Sequence, residues 1–183
     1  EKGPAAEPKK PKEEKKPKEE AKKEEPVVAE AKAAADAKKA ADKALKALIK
    51  EGGKKGVEIE GASDMGGLDF FCTTMELPEG DTELLGMSME AMNAEPDPEA
   101  EDRKGCSGHV GKMIYSAGVE QLALVAYVPA GEFNKSADKV DVTAWMEDVL
   151  GKIGGEVVKP AYETTSVIPD KKTGSIIDGL TRG

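Results

Sequence analysis

The distribution of large apolar residues along the chain limits any folded core to its later part. Residues 1–26, EKGPAAEPKKPKEEKKPKEEAKKEEP, contain only Glu, Lys, Gly, Pro and Ala. Such a segment has nothing to bury that could offset the entropy lost on ordering it. From about residue 57 the composition becomes globular. We therefore predict a disordered tail over residues 1–27, an α+β domain over 66–170 and an irregular segment over 171–183.

Residues 28–51 connect the tail to the domain and have a helical composition. Ala, Lys and Leu dominate this stretch, and all three have high helix propensity. Leu45, Leu48 and Ile49 share one face close to its end, which predicts that only the last turns dock. Gly52 and Gly53 predict the end of the helix.

The domain shows an alternation of strand and helix patterns. Aromatic and β-branched enrichment predicts strands, and apolar spacing of three and four residues predicts helices. Asp81 and Asp141 stand where N-caps belong, and Gly154 where a C-cap belongs. The predicted elements are a strand at 68–77, a helix at 82–93, strands at 109–116 and 120–128, a helix at 141–155 and a strand at 156–168.

This βαββαβ order predicts a ferredoxin-like sandwich, with a four-stranded antiparallel sheet and two helices. The third strand, EQLALVAYV, is apolar almost throughout and should be central. Pro160 cannot donate to a ladder, which confines the fourth strand to an edge or a bulge. The ferredoxin-like strand order places the fourth strand at an edge. We expect the second or the fourth strand to offer an exposed edge to a partner.

The charge is divided unevenly between the two parts of the chain. Residues 1–50 hold 15 Lys and 11 Asp or Glu, a net charge of +4, whereas residues 51–183 carry a net charge of −13. Since nucleic-acid binding depends on Lys and Arg that displace counterions, the acidic domain is an unfavourable nucleic-acid partner. No apolar run approaches the roughly 20 residues that span a bilayer.

The segment GCSGHVGKM, residues 105–113, concentrates the residues that could carry chemistry. It does not match a P-loop, because Lys112 precedes Met113 and the next element is a strand. Cys106 and His109 form only half of a zinc site, since the other cysteine is Cys72 and there is no second histidine. We therefore predict a mobile glycine-rich turn that leads into an edge strand.

A thiol enzyme remains an alternative, with Cys106 as nucleophile and His109 as base. The neighbouring Glu101 and Asp102 would raise the pKa of the thiol, which opposes activation. The acidic loop Glu95 to Asp102 lacks the glycine and ligand spacing of a calcium loop. We predict no catalytic, cofactor-binding or metal-binding residues.

One stretch carries a family resemblance. Residues 122–158 include LVAYVPAGEFNKSADKVDVTAWMEDVLGKIGGEVV, which resembles the C-terminal globular domain of alanyl-tRNA synthetases. The matching residues are Val128, Pro129, Trp145, Val149, Gly154 and Gly155. The resemblance implies a region that helps to hold tRNA and mediates association. The fuller glycine cluster of that family is reduced here to two residues.

These patterns favour a non-catalytic interaction or adaptor module. We expect residues 1–50 to anchor it to a larger protein or ribonucleoprotein assembly, in association with translation. An RNA- or tRNA-binding accessory domain is the second hypothesis and a Cys106 thiol enzyme the third. We expect an intracellular, cytoplasmic location, with an organelle after removal of a transit peptide as the alternative, and no membrane partner.

Overall fold

The structure, a computed structural model, describes residues 25–99, 102–106, 108–132, 134–164 and 174–182, with side chains of the first helix from residue 37. The predicted tail thus lies largely outside the described residues, as does Glu101. The chain divides into two compact units, Glu1–Ala41 and Asp42–Gly183. The elements are α1 (Glu25–Gly66), β1 (Phe70–Thr74), α2 (Thr82–Asn93), β2 (Gly111–Ala117), β3 (Gln121–Pro129), a short 3-10 turn (Ala137–Lys139), α3 (Val142–Ile153), β4 (Glu156–Thr164) and β5 (Gly174–Arg182).

The helix caps form where the sequence predicts them. The Asp81 carboxylate accepts hydrogen bonds from the backbone N–H groups of Glu83 and Leu84, at 2.8 and 3.0 Å. Asp141 caps α3 in the same way. Gly154 adopts a left-handed φ of 75° at the end of α3, and its N–H bonds to the Leu150 carbonyl. These caps satisfy backbone groups that helix ends leave without intrahelical partners.

The five strands form one mixed sheet in the order β1-β2-β3-β5-β4. β1 and β2 are parallel, and the other neighbouring pairs are antiparallel. The chain is therefore α+β as predicted, but the ferredoxin-like, four-stranded antiparallel sheet is wrong. The central third strand and the edge position of the proline-containing fourth strand are confirmed. β2 is an interior strand, so the predicted edge there is wrong; β1 takes that edge.

The segment predicted to be irregular, 171–183, contains β5 instead. Its glycines obscured the strand pattern, and the packing explains them. A Cβ on Gly174 would lie 2.5 Å from the Tyr127 ring, and one on Gly179 would lie 2.9 Å from Met146. Glycine within a strand often marks such a close approach.

Helices cover both faces of the sheet, whereas a ferredoxin-like sandwich has them on one face. One core joins α2 and Ile59 of α1 to the sheet face that carries Val125, Tyr127 and Ile176. The other joins α3 to the face that carries Ala126 and Ile177. Because both of its faces are covered, β3 is apolar at successive positions rather than at alternate ones.

α1 does not end at residue 51 but continues to Gly66. Gly52 and Gly53 are buried inside the helix. A Cβ on Gly52 would lie 2.7 Å from the Ser88 carbonyl oxygen, and one on Gly56 would lie 2.5 Å from that of Met92. The glycines thus allow close contact with α2 rather than stopping the helix. In the part of the chain that the structure describes, no helix combines the length and apolar character needed to cross a membrane.

Candidate functional site

The glycine-rich segment that precedes β2 is largely buried and attached to both helices on that face. The Gly105 N–H donates to the Gly53 carbonyl of α1, and the Cys106 N–H donates to the Met92 carbonyl of α2, each at 2.8 Å. Gly105 has a φ of 91°, and a Cβ there would lie within 2 Å of the Ala94 carbonyl oxygen. The segment is thus a glycine-dependent turn, although it leads into an interior strand.

Cys106 and His109 occupy different environments. The Cys106 side chain is completely buried. His109 is exposed and lines an open cavity of about 490 Å³, together with Glu60, Asn134 and Lys135. A nucleophile at Cys106 would be out of reach of a substrate, so the geometry does not favour the thiol-enzyme hypothesis. Among the described residues, no group of His, Cys, Asp and Glu side chains is arranged to hold a metal ion.

A buried lysine is the feature that the sequence prediction missed. Lys112 is fully buried on the α2 face of β2, where its Nζ lies 2.5 Å from Asn93 Oδ1 and 3.2 Å from Cys106 Sγ. The Tyr127 ring centroid is 5.0 Å away. Burial lowers the pKa of the Lys112 amine, and Cys106 and Glu60 oppose that shift. Side chains two residues apart lie on the same face of a strand, so Lys112 shares a face with Ile114 and Ser116. All three side chains are buried, and the apolar Ile114 was the sequence signal that this face is covered.

This polar cluster is closed to solvent, because Asn93, Cys106 and Lys112 are all at most 1% exposed. Asn93 Nδ2 makes no hydrogen bond within the described part of the chain. Buried polar groups of this kind are expensive unless they satisfy one another. The cluster therefore ties α2 and the glycine-rich turn to β2 rather than offering a binding surface.

The second polar feature is an open groove of about 460 Å³ between α2 and the β4–β5 pair. α2 contributes Glu83, Gly86 and Glu90, and the strands contribute Lys159, Tyr162 and Asp178. β4 has register irregularities on both sides of Lys159. Bulges re-aim side chains and are common beside binding sites, and here the strand directs Lys159 and Tyr162 to the groove.

Asp178 is the least exposed acid of this groove, at 6%. It lies on the same strand face as the buried Ile176 and Leu180. Its Oδ1 is buried without a hydrogen bond to any described residue. Burial raises the pKa of the Asp178 carboxyl, Glu90 adds to the rise, and Lys159 opposes it.

Lys159 and Tyr162 form a stacked pair in the same groove. The Lys159 Nζ lies 3.9 Å from the Tyr162 ring centroid, within the range of a cation–π contact. Burial and the Asp178 carboxylate raise the pKa of the Tyr162 hydroxyl, whereas Lys159 lowers it. The groove therefore places an ammonium group on an aromatic face beside carboxylates.

Gly86 has no packing reason to be a glycine. It lies inside α2, and a Cβ added there would meet nothing within 4 Å. Glycine inside a helix costs up to about 1 kcal/mol relative to alanine. Since Gly86 lines the groove, its missing side chain leaves the groove wider than alanine or a larger residue would.

The raised pKa of Asp178 predicts a pH-dependent effect on stability. The folded state holds the Asp178 proton more tightly than the unfolded state does. The free energy of unfolding therefore falls as the pH rises from the ordinary pKa of 3.8 to the raised pKa of the folded state. We expect Asp178→Asn to raise the urea midpoint, followed by Trp145 fluorescence, at about pH 7, and the gain to disappear near pH 4.

The matched control is Asp148→Asn, which removes an exposed carboxylate paired with Lys152. Exposed pairs contribute little to stability, so we expect almost no change in the midpoint. An Asp178→Asn midpoint that equals the wild-type value at about pH 7 would contradict the assignment of a raised pKa.

No protein-family model and no curated protein matches this sequence. Two solved structures of the catalytic domain of histidine kinase ThkA align with 75% of this chain, at 13% and 14% identity. The alignments cover 93% and 92% of those chains, with TM-scores of 0.25 and 0.24. TM-scores this low carry no argument about fold or function. The resemblance to alanyl-tRNA synthetases stays a prediction, because none of these matches bears on it.

Proposed function

We propose that this chain is a non-catalytic interaction module, attached to a larger assembly through residues 1–50, that receives an extended segment of a partner at the free edge of β1. The observation that carries the proposal is the direction of the β1 backbone groups. The Gly111 N–H donates to the Asp69 carbonyl and the Met75 N–H to the Tyr115 carbonyl, each at 2.9 Å. Because bonding residues alternate along a parallel ladder, Phe70, Cys72 and Thr74 direct their N–H and C=O groups away from β2.

The two edges of the sheet differ in how well they could accept a strand. β1, with the sequence FFCTT, has neither charge nor proline and keeps a regular register with β2. β4 carries Lys159, Pro160 and two register irregularities. Charged side chains, proline and bulges are among the features that protect natural edges from pairing. β1 lacks all three, and this supports it as the interaction edge.

Apolar surface beside β1 supports the same proposal. The Phe70 and Trp145 rings meet edge to face with centroids 5.8 Å apart and line a shallow groove of about 450 Å³. Leu68, which precedes the strand, is 57% exposed. In strand addition, main-chain bonds give affinity, and pockets beside the edge select alternate side chains. The groove at Trp145 is such a pocket.

The exposed thiol of Cys72 allows a direct test, because the second cysteine, Cys106, is buried. We expect a thiol-linked photocrosslinker on native Cys72 to capture one dominant partner in lysate of the source cells. The control is Cys72→Ser with Lys159→Cys, which moves the label to β4 and should lose that adduct. Equal capture from both edges, or none from Cys72, would contradict the edge assignment.

The same labelled sample tests the anchor. We expect the full-length chain to co-sediment with a large assembly and a variant lacking residues 1–41 to stay near the top of the gradient. Those residues make up the first of the two compact units, so the variant keeps both hydrophobic cores, which lie within residues 42–183. Unchanged sedimentation of the truncated chain would contradict an anchor in residues 1–41, which make up most of the proposed 1–50 segment.

A further inference from the structure

We propose that the groove between α2 and the β4–β5 pair binds an alkylammonium group, which takes the place of Lys159 on the Tyr162 ring next to Asp178. The site is at the opposite edge of the sheet from β1, so it stands independently of strand addition. Nothing in the sequence pattern had marked it, because its residues come from three separate segments.

The first argument is the state of Asp178. Its Oδ1 is buried and has no hydrogen-bond donor among the described residues, and Asp178 lines the groove. A buried oxygen without a donor is unfavourable, and more so when the group is charged. A cationic N–H group entering the groove would supply that donor and form a charge-assisted hydrogen bond.

The second argument is charge and aromatic character. Glu83, Glu90 and Asp178 line the groove, with Lys159 as the one described basic residue in the lining. The Lys159 Nζ already lies over the Tyr162 ring, at 3.9 Å from its centroid, so the groove accommodates an ammonium group in this position. Lys159 is an exposed residue on an irregular edge strand, and a competing cation could displace it.

The third argument is Gly86, whose position no packing contact explains. It faces the groove one helical turn from Glu90 and beside Glu83, and the absent side chain leaves room for a ligand. An aromatic ring with carboxylates favours an organic ammonium group over a metal ion. In agreement, no metal-holding group of side chains occurs in the part of the chain that the structure describes.

The test is a titration of the full-length protein followed by backbone amide chemical shifts. The probes are Nα-acetyl-lysine methylamide, butylamine and the uncharged Nα-acetyl-norleucine methylamide. We expect saturable shifts at Gly86, Glu90 and Val158 with both amines and none with the norleucine probe. Tighter binding of the lysine probe would indicate a lysine side chain of a partner as the source, and equal binding would indicate a free amine.

Three groove variants and two control variants separate this site from general attraction to an acidic protein. We expect Asp178→Asn and Gly86→Leu to weaken binding by roughly tenfold or more, and Lys159→Met to strengthen it. The controls are Gly151→Leu, at another helical glycine with nothing within 4 Å, and Lys152→Met, which makes the same charge change on α3. Both controls should bind as the wild type does, apart from a small general charge effect.

Several results would overturn the proposal. They are the absence of saturation with either amine, equal binding of the norleucine probe, and equal effects of the Gly86 and Gly151 substitutions. Equal strengthening by Lys159→Met and Lys152→Met would also overturn it, because it would show that net charge alone controls binding.

Discussion

Replacing Gly56 with alanine is expected to destabilise the protein by about 2–3 kcal/mol, although alanine is the better helix former. The new Cβ would lie 2.5 Å from the Met92 carbonyl oxygen and 3.1 Å from Gly105 Cα. Both are backbone atoms, so a side-chain rotation cannot relieve the clash. α1 would have to move away from α2 and from the turn that carries Cys106.

Gly61→Ala provides a matched control in the same helix, because a Cβ there meets nothing within 4 Å. We expect this substitution to stabilise the protein by up to about 1 kcal/mol, since it removes backbone freedom from the unfolded chain. Urea unfolding of the two variants measures both effects. Opposite signs are expected, and a loss of stability in both variants, or in neither, would contradict the close contact between α1 and α2.

Asn93→Leu is expected to cost about 3 kcal/mol, because it removes the oxygen that accepts from the buried Lys112 amine. The substitution keeps the branched shape of the side chain but leaves a fully buried amine with the Cys106 thiol and the Tyr127 ring as its contacts. Lys112→Met alone leaves the Asn93 amide without its partner, and we expect a loss of about 1–3 kcal/mol.

The double variant, Asn93→Leu with Lys112→Met, should lose much less than the sum of the two single losses. Replacing both partners of a buried polar pair with apolar groups is often nearly neutral. A double-mutant cycle from urea unfolding should give a coupling free energy of about 1–3 kcal/mol. Additive losses would mean that Asn93 and Lys112 do not depend on one another.

The lowered pKa of Lys112 adds a pH signature to this cycle. The unfolded state binds the proton more tightly, so the wild type loses stability as the pH falls from the ordinary lysine value of 10.5 to the lowered folded value. Lys112→Met lacks the titrating group, so its free energy of unfolding should change less with pH over that window. An equal slope for wild type and variant would assign the pH dependence to other groups.

The sequence predicted the features that depend on neighbours along the chain. The Asp81 and Asp141 caps and the Gly154 C-cap form as expected, because each is specified by a few adjacent residues. The apolar run of β3 predicts a central strand with at least one covered face, and in the structure both of its faces are covered. Pro160 likewise predicted an edge strand.

What the sequence did not predict depends on contacts between distant segments. Gly52 and Gly53 were interpreted as a helix end, since the close approach of α2 cannot be seen in the sequence of α1 alone. The sequence did not indicate β5, because Gly174 and Gly179 are required by close contacts with Tyr127 and Met146. Both of these residues lie far away in the chain. α2 and α3 lie on opposite faces of the sheet, and this placement depends on the pairing of distant strands, which local periodicity does not encode.

The sequence did not indicate the polar cluster around Lys112 or the groove between α2 and the β4–β5 pair, for the same reason. Lys112 belongs to the segment that was compared with a phosphate loop. Its burial depends on the cover that α2 gives to β2, which the sequence of that segment does not show. Asp178 lay in a segment predicted to have no regular structure. Its chemistry depends on Glu90 from α2 and Lys159 from β4, two segments that the chain brings together only in the folded state.

The position of β5 restricts the order in which this sheet can assemble. Although β5 follows β4 in the chain, it pairs with β3 on one side and with β4 on the other. During synthesis, the apolar strand β3 therefore has one unpaired backbone edge until residue 182 has emerged from the ribosome. Until then β4 has no strand to pair with. A nascent chain halted before Gly174 should consequently recruit chaperones strongly, whereas one released after Arg182 should not.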